Sequence, residues 1–376
     1  MDLKELRDEI DRVDDEMAVL FERRAKLACD VAEYKREHGM EILQTGRERE
    51  VLEKTQKKVS DDLKNASNLF FTTLMDISKC RQQQLLTRSV PFTSFPEIED
   101  PVIGAVTKGS YTADACEKFC CEGCRIEYFS DFAEVFRAVE NGDIDYGALP
   151  IENSTAGEVN TTLQLMIKHD FFIVKSTKIR INHVLAGKKG AKLSDIKVAM
   201  SHEMALKQCS GFIEKKRLAV SEESSTARAA ELVAQSDDKS IAAICSASCA
   251  KLFGLQILAE DICDIGDNYT RFIMISKNLQ VSERSNIVSL CLTVPHTAGS
   301  LYRLLTRFAY CGLNLCRIES RPVPGNLAYL KDDAFDFIFY LDFIGSIKDE
   351  NVIKLLIGLE KEMRFYRFFG NYEELA

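Results

Sequence analysis

The sequence predicts a multidomain chain with three cores of different class. These are an all-α piece at residues 1–90, an α/β piece at 101–276 and an α+β piece, βαββαβ and ferredoxin-like, at 286–376. Three observations predict it. The chain has 376 residues, and at roughly 100–200 residues per domain that implies two to four cores. Proline is absent from residues 1–90 and then falls at Pro91, Pro96 and Pro101. Proline disfavours helix at its own position and at the one before it, so VPFTSFPEIEDP reads as a linker. Finally, helical periodicity before the linker gives way to alternating strand and helix after it, and a polar break, SKNLQVSERSN (276–286), precedes the last piece.

In the first piece Leu3, Leu6, Ile10, Val13, Met17, Leu20, Leu27, Val31 and Tyr34 advance by threes and fours. This is the seam of one long helix, about 50 Å if it runs unbroken to Glu37. Gly39 and Gly46 bracket a turn, a second helix begins near Arg47, and a third runs from about Leu63 to Leu86. Three helices with so much seam predict burial against a second copy, a homodimer or a higher assembly such as a homotetramer.

The middle piece offers strands at VIGAV (102–106), RIEYF (125–129), DYGALP (145–150), FFIVK (171–175), IRINHVLA (179–186), KVAM (197–200), IAAIC (241–245) and RFIMIS (271–276). Helical patterns lie between several of them, which predicts a largely parallel sheet. Ligands in such sheets sit beyond the carboxyl ends of strands, marking the loops at 109–112, 150–155, 201–203 and 268–270. The last piece reads strand 287–294, helix 299–310, strands 313–320 and 336–343, helix 347–363 and a short strand 365–369. A module of this kind often pairs with a second copy.

Composition removes several function classes. Lys and Arg number 49 against 58 Asp and Glu, a net charge of −9, which argues against a nucleic-acid binder. Apolar runs fall short of the ~20 residues that cross a bilayer. The N-terminus, MDLKELRDEIDRVDDEM, has no apolar h-region and is not a secretory signal. An odd count of 13 Cys points to reduced thiols and a cytoplasmic protein. Cys116, Cys120, Cys121 and Cys124 have helical spacing and no nearby His, so they read as free thiols and no metal is expected.

Arg24 interrupts the apolar seam, and an unpaired buried guanidinium is too costly to tolerate. A carboxylate or an anionic ligand must neutralise it. Lys35 lies eleven residues on, nearly the same face. Arg7 lies seventeen residues earlier, about 25 Å along the axis, so one small molecule meets both only if a partner's antiparallel helix brings its own Arg7 across. Arg47 opens the second helix beside Glu48, and Ser78 and Gln82 share a face of the third at i,i+4.

This spacing, LRDEIDRVDDEM…RR..LA..VAEYK (6–35), RERE (47–50) and S…Q (78–82), resembles the all-helical chorismate mutases. The resemblance implies an intertwined dimer whose site joins Arg24, Lys35 and Arg47 to Arg7 of the partner. It puts Glu48 and Ser78 near the ring hydroxyl of chorismate, and Gln82 with Lys35 at the ether oxygen. The reaction is a pericyclic rearrangement to prephenate and needs no nucleophile. Gln44 stands where a relative carries an acid.

In the middle piece GALPIENSTAGEVN (147–160), SHEMALKQC (201–209), ESSTARAAELVA (223–234) and NYTRF (268–272) resemble prephenate dehydratase. The resemblance implies a two-lobed, periplasmic-binding-protein-like α/β fold. Prephenate there loses CO₂ and its ring hydroxyl to become phenylpyruvate. It assigns Thr270 as hydrogen-bond donor to the leaving hydroxyl and places Asn153 and Gln208 in the cleft, with Ser154, Ser201, His202 and Arg271 as further substrate contacts. No cofactor is implied.

The last piece, AGSLYRLLTRFAYCGLNLCRIESRP (298–322), is similar to the ACT-type modules that follow prephenate dehydratases. The resemblance implies phenylalanine bound at Gly299, Ser300, Leu301, Glu319, Ser320, Arg321 and Pro322. Ser300 and Tyr302 depart from the usual segment there. The function expected is a bifunctional enzyme of phenylalanine biosynthesis with phenylalanine feedback. The alternatives are a second site that takes arogenate, or a non-catalytic amino-acid-responsive binding protein.

Overall fold

The computed structural model describes residues 2–40, 45–86, 94–120, 123–154, 157–158, 160–323 and 337–376. Gln44, Cys121 and part of the 150–155 loop lie outside the described residues. The chain opens with α1 (Leu3–Glu37), α2 (Thr45–Gln56) and α3 (Lys64–Leu86). Then come β1 (Val102–Val106), α4 (Tyr111–Phe119), β2 (Arg125–Phe129), α5 (Phe132–Asn141), β3 (Tyr146–Asn153), β4 (Gly157–Glu158), α6 (Asn160–Lys168) and β5 (Phe172–Arg180). Next are β6 (Val184–Gly187), β7 (Val198–Ser201), α7 (Glu203–Gln208), α8 (Ser210–Lys216), β8 (Ala219–Glu222), α9 (Thr226–Gln235), β9 (Ile241–Cys245), α10 (Ala247–Leu252) and β10 (Gln256–Ala259). The chain closes with β11 (Tyr269–Ser276), β12 (Ile287–Thr293), α11 (Ser300–Tyr310), β13 (Asn314–Pro322), β14 (Phe337–Ile344), α12 (Glu350–Glu362) and β15 (Tyr366–Leu375). Among the described residues no helix is long and apolar enough to cross a membrane.

Two compact units form, Met1–Phe92 with Val288–Phe368, and Thr93–Ile287 with Phe369–Ala376. The first unit joins the initial segment to residues 288–368 because α3 packs on α11 and α12 as well as on α1 and α2. Helix α1 starts at a capping box: the Asp2 carboxylate accepts from the Glu5 N–H and Glu5 accepts from the Asp2 N–H, each at 2.8 Å. It ends where Gly39 takes φ +63°.

The face of α1 buried within the chain is not the predicted seam. It holds Arg24, Ala25, Ala28, Cys29, Ala32 and Lys35, while the nine seam residues from Leu3 to Tyr34 are 45–64 % exposed. Small side chains let α3 approach closely, and the large ones are left facing outward.

In the same unit strands run β13-β14-β12-β15, with β13 and β14 antiparallel. The element order β-α-β-β-α-β is that read from the sequence, with the last strand longer than expected.

The second unit has two lobes. One sheet is β5-β11-β3-β1-β2, the other β10-β6-β9-β7-β8. The expected parallel sheet is mixed instead: β1 runs parallel to β2 and β3, but β11 runs antiparallel to both β3 and β5. The cause is the path of the chain. It leaves the first lobe after β5 and returns along β11, so the run expected as one strand over 179–186 breaks at 181–183 into β5 and β6. Asn182 donates to Asp261 Oδ1 at 2.7 Å, clamping the outgoing crossing to the returning one. Asp261 holds φ +52° there, a left-handed conformation that Asp tolerates better than most residues. Strands β4, β8 and β10 went unread because they are short and carry little period-2 signal.

Candidate active sites

In the first unit α1 carries Arg24 and Lys35 towards α3. Arg24 Nη1 donates to the Leu74 carbonyl at 3.1 Å and to Ser78 Oγ at 2.5 Å, and Ser78 donates to Leu74 O at 2.8 Å. No carboxylate among the described residues lies within ion-pair distance of Arg24, and burial pulls its pKa below the ordinary arginine value. This is a half-buried cation held by neutral groups, a receptor for an anion.

Lys35 is 8 % exposed, and burial, then the charge of Lys79, lowers its pKa. Lys79 pairs with Glu48 of α2 and lies 3.6 Å from Asp76. Gln82, one turn beyond Ser78, is also buried. Cations and a primary amide therefore converge on the α1–α3 groove, and Glu48 borders it.

Two expected contributors lie elsewhere. Arg47 is exposed and bonds Glu50 at 2.8 Å. Arg7 is exposed on the N-terminal half of the unbroken α1. Its seventeen-residue separation from Arg24 is about 25 Å, so within one chain the two share no small ligand.

In the second unit antiparallel register sets Thr270 of β11 opposite Asn153 of β3. Asn153 Nδ2 donates to Thr270 Oγ1 at 2.8 Å and to Asn268 Oδ1 at 2.9 Å. The Thr270 oxygen thus accepts from Asn153, leaving its own O–H to donate elsewhere. Asn268 lines a cavity of about 240 Å³ together with Met204, Lys207, Gln208, Cys263, Asp264 and Ile265. From that lining Gln208 Oε1 meets His183 Nε2 at 3.2 Å, and His183 Nδ1 lies 3.2 Å from the Tyr111 hydroxyl, which donates to Asn182 O at 2.9 Å. Burial, only partly offset by the Gln208 bond, holds His183 below the ordinary histidine value and so neutral. The Cys263 thiol on the cavity wall is pulled down by its bond with Cys209 and by the His183 N–H. Beside Lys207 and Asp264 on the lining, Asn153, Asn268, Thr270, Gln208 and His183 supply fixed dipoles, suited to stabilising charge that develops on a departing oxygen.

Models of two families match the chain: chorismate mutase type II over residues 6–83 and prephenate dehydratase over 106–280. The bifunctional chorismate mutase/prephenate dehydratase of Aquifex aeolicus is 33 % identical over 377 residues, covering 99 % of this chain and 98 % of its own. The chain belongs to the bifunctional chorismate mutase/prephenate dehydratase family. Arogenate dehydratase 2 of Petunia hybrida is 32 % identical over 274 residues, covering 70 % of this chain and 69 % of its own. The prephenate dehydratase of Arthrobacter aurescens, solved in complex with L-Phe, is 29 % identical with a TM-score of 0.63, covering 72 % of this chain and 89 % of that one.

Several residues expected at the dehydratase site face other duties. Ser201 is fully buried and donates to Ile244 O at 2.6 Å, between strands. Arg271 follows Thr270, and strand alternation turns it to the opposite face. There its guanidinium meets the Tyr372 hydroxyl at 2.7 Å and Glu374 at 3.4 Å. Ser154 ties β3 to the returning loop, accepting from the Tyr269 N–H at 2.9 Å and lying 3.3 Å from the Asp267 carbonyl. His202 caps α7, accepting from Met204 N at 3.2 Å.

Conversely, sequence reasoning did not single out Lys79 and Asp76 beside the candidate mutase groove, or His183 and Lys207 beside the candidate cleft. Asn268 lies in the loop at 268–270 that the sequence marks, two residues before Thr270 and just ahead of β11.

The expected effector residues also divide. A cavity of about 510 Å³ is lined by Ser300, Leu301 and Ser320, with Val294, Pro295, His296, Thr297, Ala298, Phe337 and Phe339. Gly299 caps α11 with φ +85° and no side-chain hydrogen bond. Glu319 and Arg321 pair with each other at 2.5 Å instead of lining that cavity, and Pro322 ends β13.

Proposed function

We propose that the protein converts chorismate to prephenate at the α1–α3 groove and prephenate to phenylpyruvate at the cleft of the second unit, within phenylalanine biosynthesis. The observation that carries the first activity is the half-buried Arg24 guanidinium, whose partners are Leu74 O and Ser78 Oγ. A substrate carboxylate supplies the missing counter-charge, Gln82 and charged Lys35 meet the ether oxygen as negative charge develops, and these fixed contacts hold the reactive conformer. Arg47 must leave Glu50 to join it. The exposed α1 seam supports a homodimer in which the partner's Arg7 completes the site, and a homotetramer arises if the C-terminal modules pair as well.

At the second site Asn153 orients Thr270, whose O–H donates to the ring hydroxyl as its C–O bond breaks. CO₂ leaves in the same elimination and aromatisation supplies the drive, so a hydrogen bond that strengthens in the transition state suffices. Gln208 and Asn268 orient the substrate from the cavity. The test is Thr270→Ala, which should stop phenylpyruvate formation from prephenate while leaving chorismate consumption intact.

Functional boundaries at 1–90, 101–276 and 286–376 fit this division, the last being a ferredoxin-like, ACT-type module that takes phenylalanine as effector. Apolar side chains from Val294, Leu301, Phe337 and Phe339 around the cavity at the start of α11 suit an aromatic amino acid. We place the enzyme in the cytoplasm, on its acidic charge and its many thiols. The arogenate dehydratase relative supports a second reading in which the cleft takes arogenate. Comparing kcat/KM for the two substrates decides it.

A further inference from the structure

Arg303 stands on α11, one turn beyond its first residues, and faces α3. Its guanidinium grips Asp76 as a fork, Nε to Oδ2 at 2.9 Å and Nη2 to Oδ1 at 2.8 Å. Asp76 is 3 % exposed, and this fork supplies the shortest ion-pair contacts to its charge among the described residues. The same Nη2 lies 3.6 Å from Glu48 Oε2, while Glu48 Oε1 pairs with Lys79. Lys79 in turn lies 3.6 Å from Asp76. Two acids and two bases from α2, α3 and α11 therefore close one network, and each oxygen of Glu48 is approached by a different cation.

We propose that Arg303, although it lies in the C-terminal module, is a positioning residue for the mutase reaction: it holds Asp76 so that Lys79 stays on Glu48, and Glu48 stays in place for chorismate. Without the fork, buried Asp76 draws Lys79 to itself and Glu48 loses both of its cations. A lysine at 303 supplies the charge without the two parallel bonds. The proposal rests on the reading of Glu48 as the residue that meets the ring hydroxyl. That hydroxyl is the same in substrate and transition state, so misplacing Glu48 removes uniform binding and appears in KM more than in kcat.

The experiment measures chorismate and prephenate turnover in the full-length chain for Arg303→Met, Arg303→Lys, Tyr302→Phe, Glu48→Gln and the Glu48→Gln/Arg303→Met double variant. A parental thermal unfolding profile in the same preparations reports that the first unit is folded, and prephenate turnover that the second is. Arg303→Met should raise KM for chorismate about tenfold, with kcat within about threefold of the parent. Arg303→Lys should fall between. Tyr302→Phe removes a neighbouring α11–α3 contact, the 3.0 Å bond to Thr73, and should leave KM unchanged. The double variant should be no worse than Glu48→Gln alone.

An unchanged KM in Arg303→Met, or full additivity in the double variant, overturns the proposal while leaving Glu48 as a substrate contact. Parental kinetics in Glu48→Gln would instead remove the Glu48 reading, and the proposal with it. If Arg303→Met fails to fold, Arg303→Lys decides: a KM equal to the parent's overturns the role.

Discussion

The two candidate sites solve their chemistry with opposite materials. The mutase groove collects cations, Arg24, Lys35 and Lys79, and leaves Arg24 among neutral partners. The dehydratase cleft also carries Lys207 and Asp264, but its core is amides, a hydroxyl and an imidazole that satisfy one another, Asn153 with Asn268 and Thr270, Gln208 with His183. A rearrangement has no leaving group to protonate, so the first site works by compressing a dianion and countering charge. The elimination must ease an oxygen away, so the second needs one oriented donor in a fixed hydrogen-bonded frame. The sites also differ in completeness: Arg7 is out of reach of Arg24 in one chain, whereas the cleft draws all its groups from one unit.

The contrast can be broken most severely at Arg24. Arg24→Ala should cut chorismate kcat/KM by about 10³-fold, the scale of losing a charged transition-state contact, with prephenate turnover unchanged when each is assayed on its own substrate. Next is the exposed seam. Leu20→Glu places a charge in the proposed dimer contact, so light scattering should report monomer and mutase activity should fall about 10²-fold, on the same scale. The cleft should continue to turn over. Asn153→Ala should cost prephenate turnover about tenfold, because Thr270 keeps its hydroxyl but loses its orientation.

The smallest effect concerns pH. Burial and the Lys79 charge hold Lys35 below the ordinary lysine value. Its charged form is the active one, so chorismate turnover should fall as pH rises through that lowered value, earlier than for an ordinary lysine. Lys79→Met removes the repulsion and should move this alkaline limb to higher pH. A limb that does not move assigns it to another group.

How much of this was legible in sequence differs by site. The α1 stripe and the Arg24 that interrupts it were readable as period and exception, but periodicity does not say which partner buries a face. Within the chain α1 uses its alanines against α3 and leaves the large residues out. Asp76 and Lys79 were illegible because a charge on a helix ordinarily faces water. Their meaning depends on Arg303, 227 residues from Asp76. Thr270 and Asn153 were readable as motif residues, yet their hydrogen bond follows from strand register across 117 residues. Arg271 illustrates the reverse: strand alternation alone sets it on the face opposite Thr270. His183 fell inside the run read as one strand over 179–186, and it reaches Gln208 of the cleft because that run breaks at the crossing between lobes.

The central claim is that one chain holds two separate chemistries, the first making prephenate and the second consuming it. Following chorismate, prephenate and phenylpyruvate together in the Thr270→Ala protein tests it most directly. The account predicts that chorismate disappears at the parental rate and prephenate accumulates in its place. Phenylpyruvate appearing at an undiminished rate would contradict it.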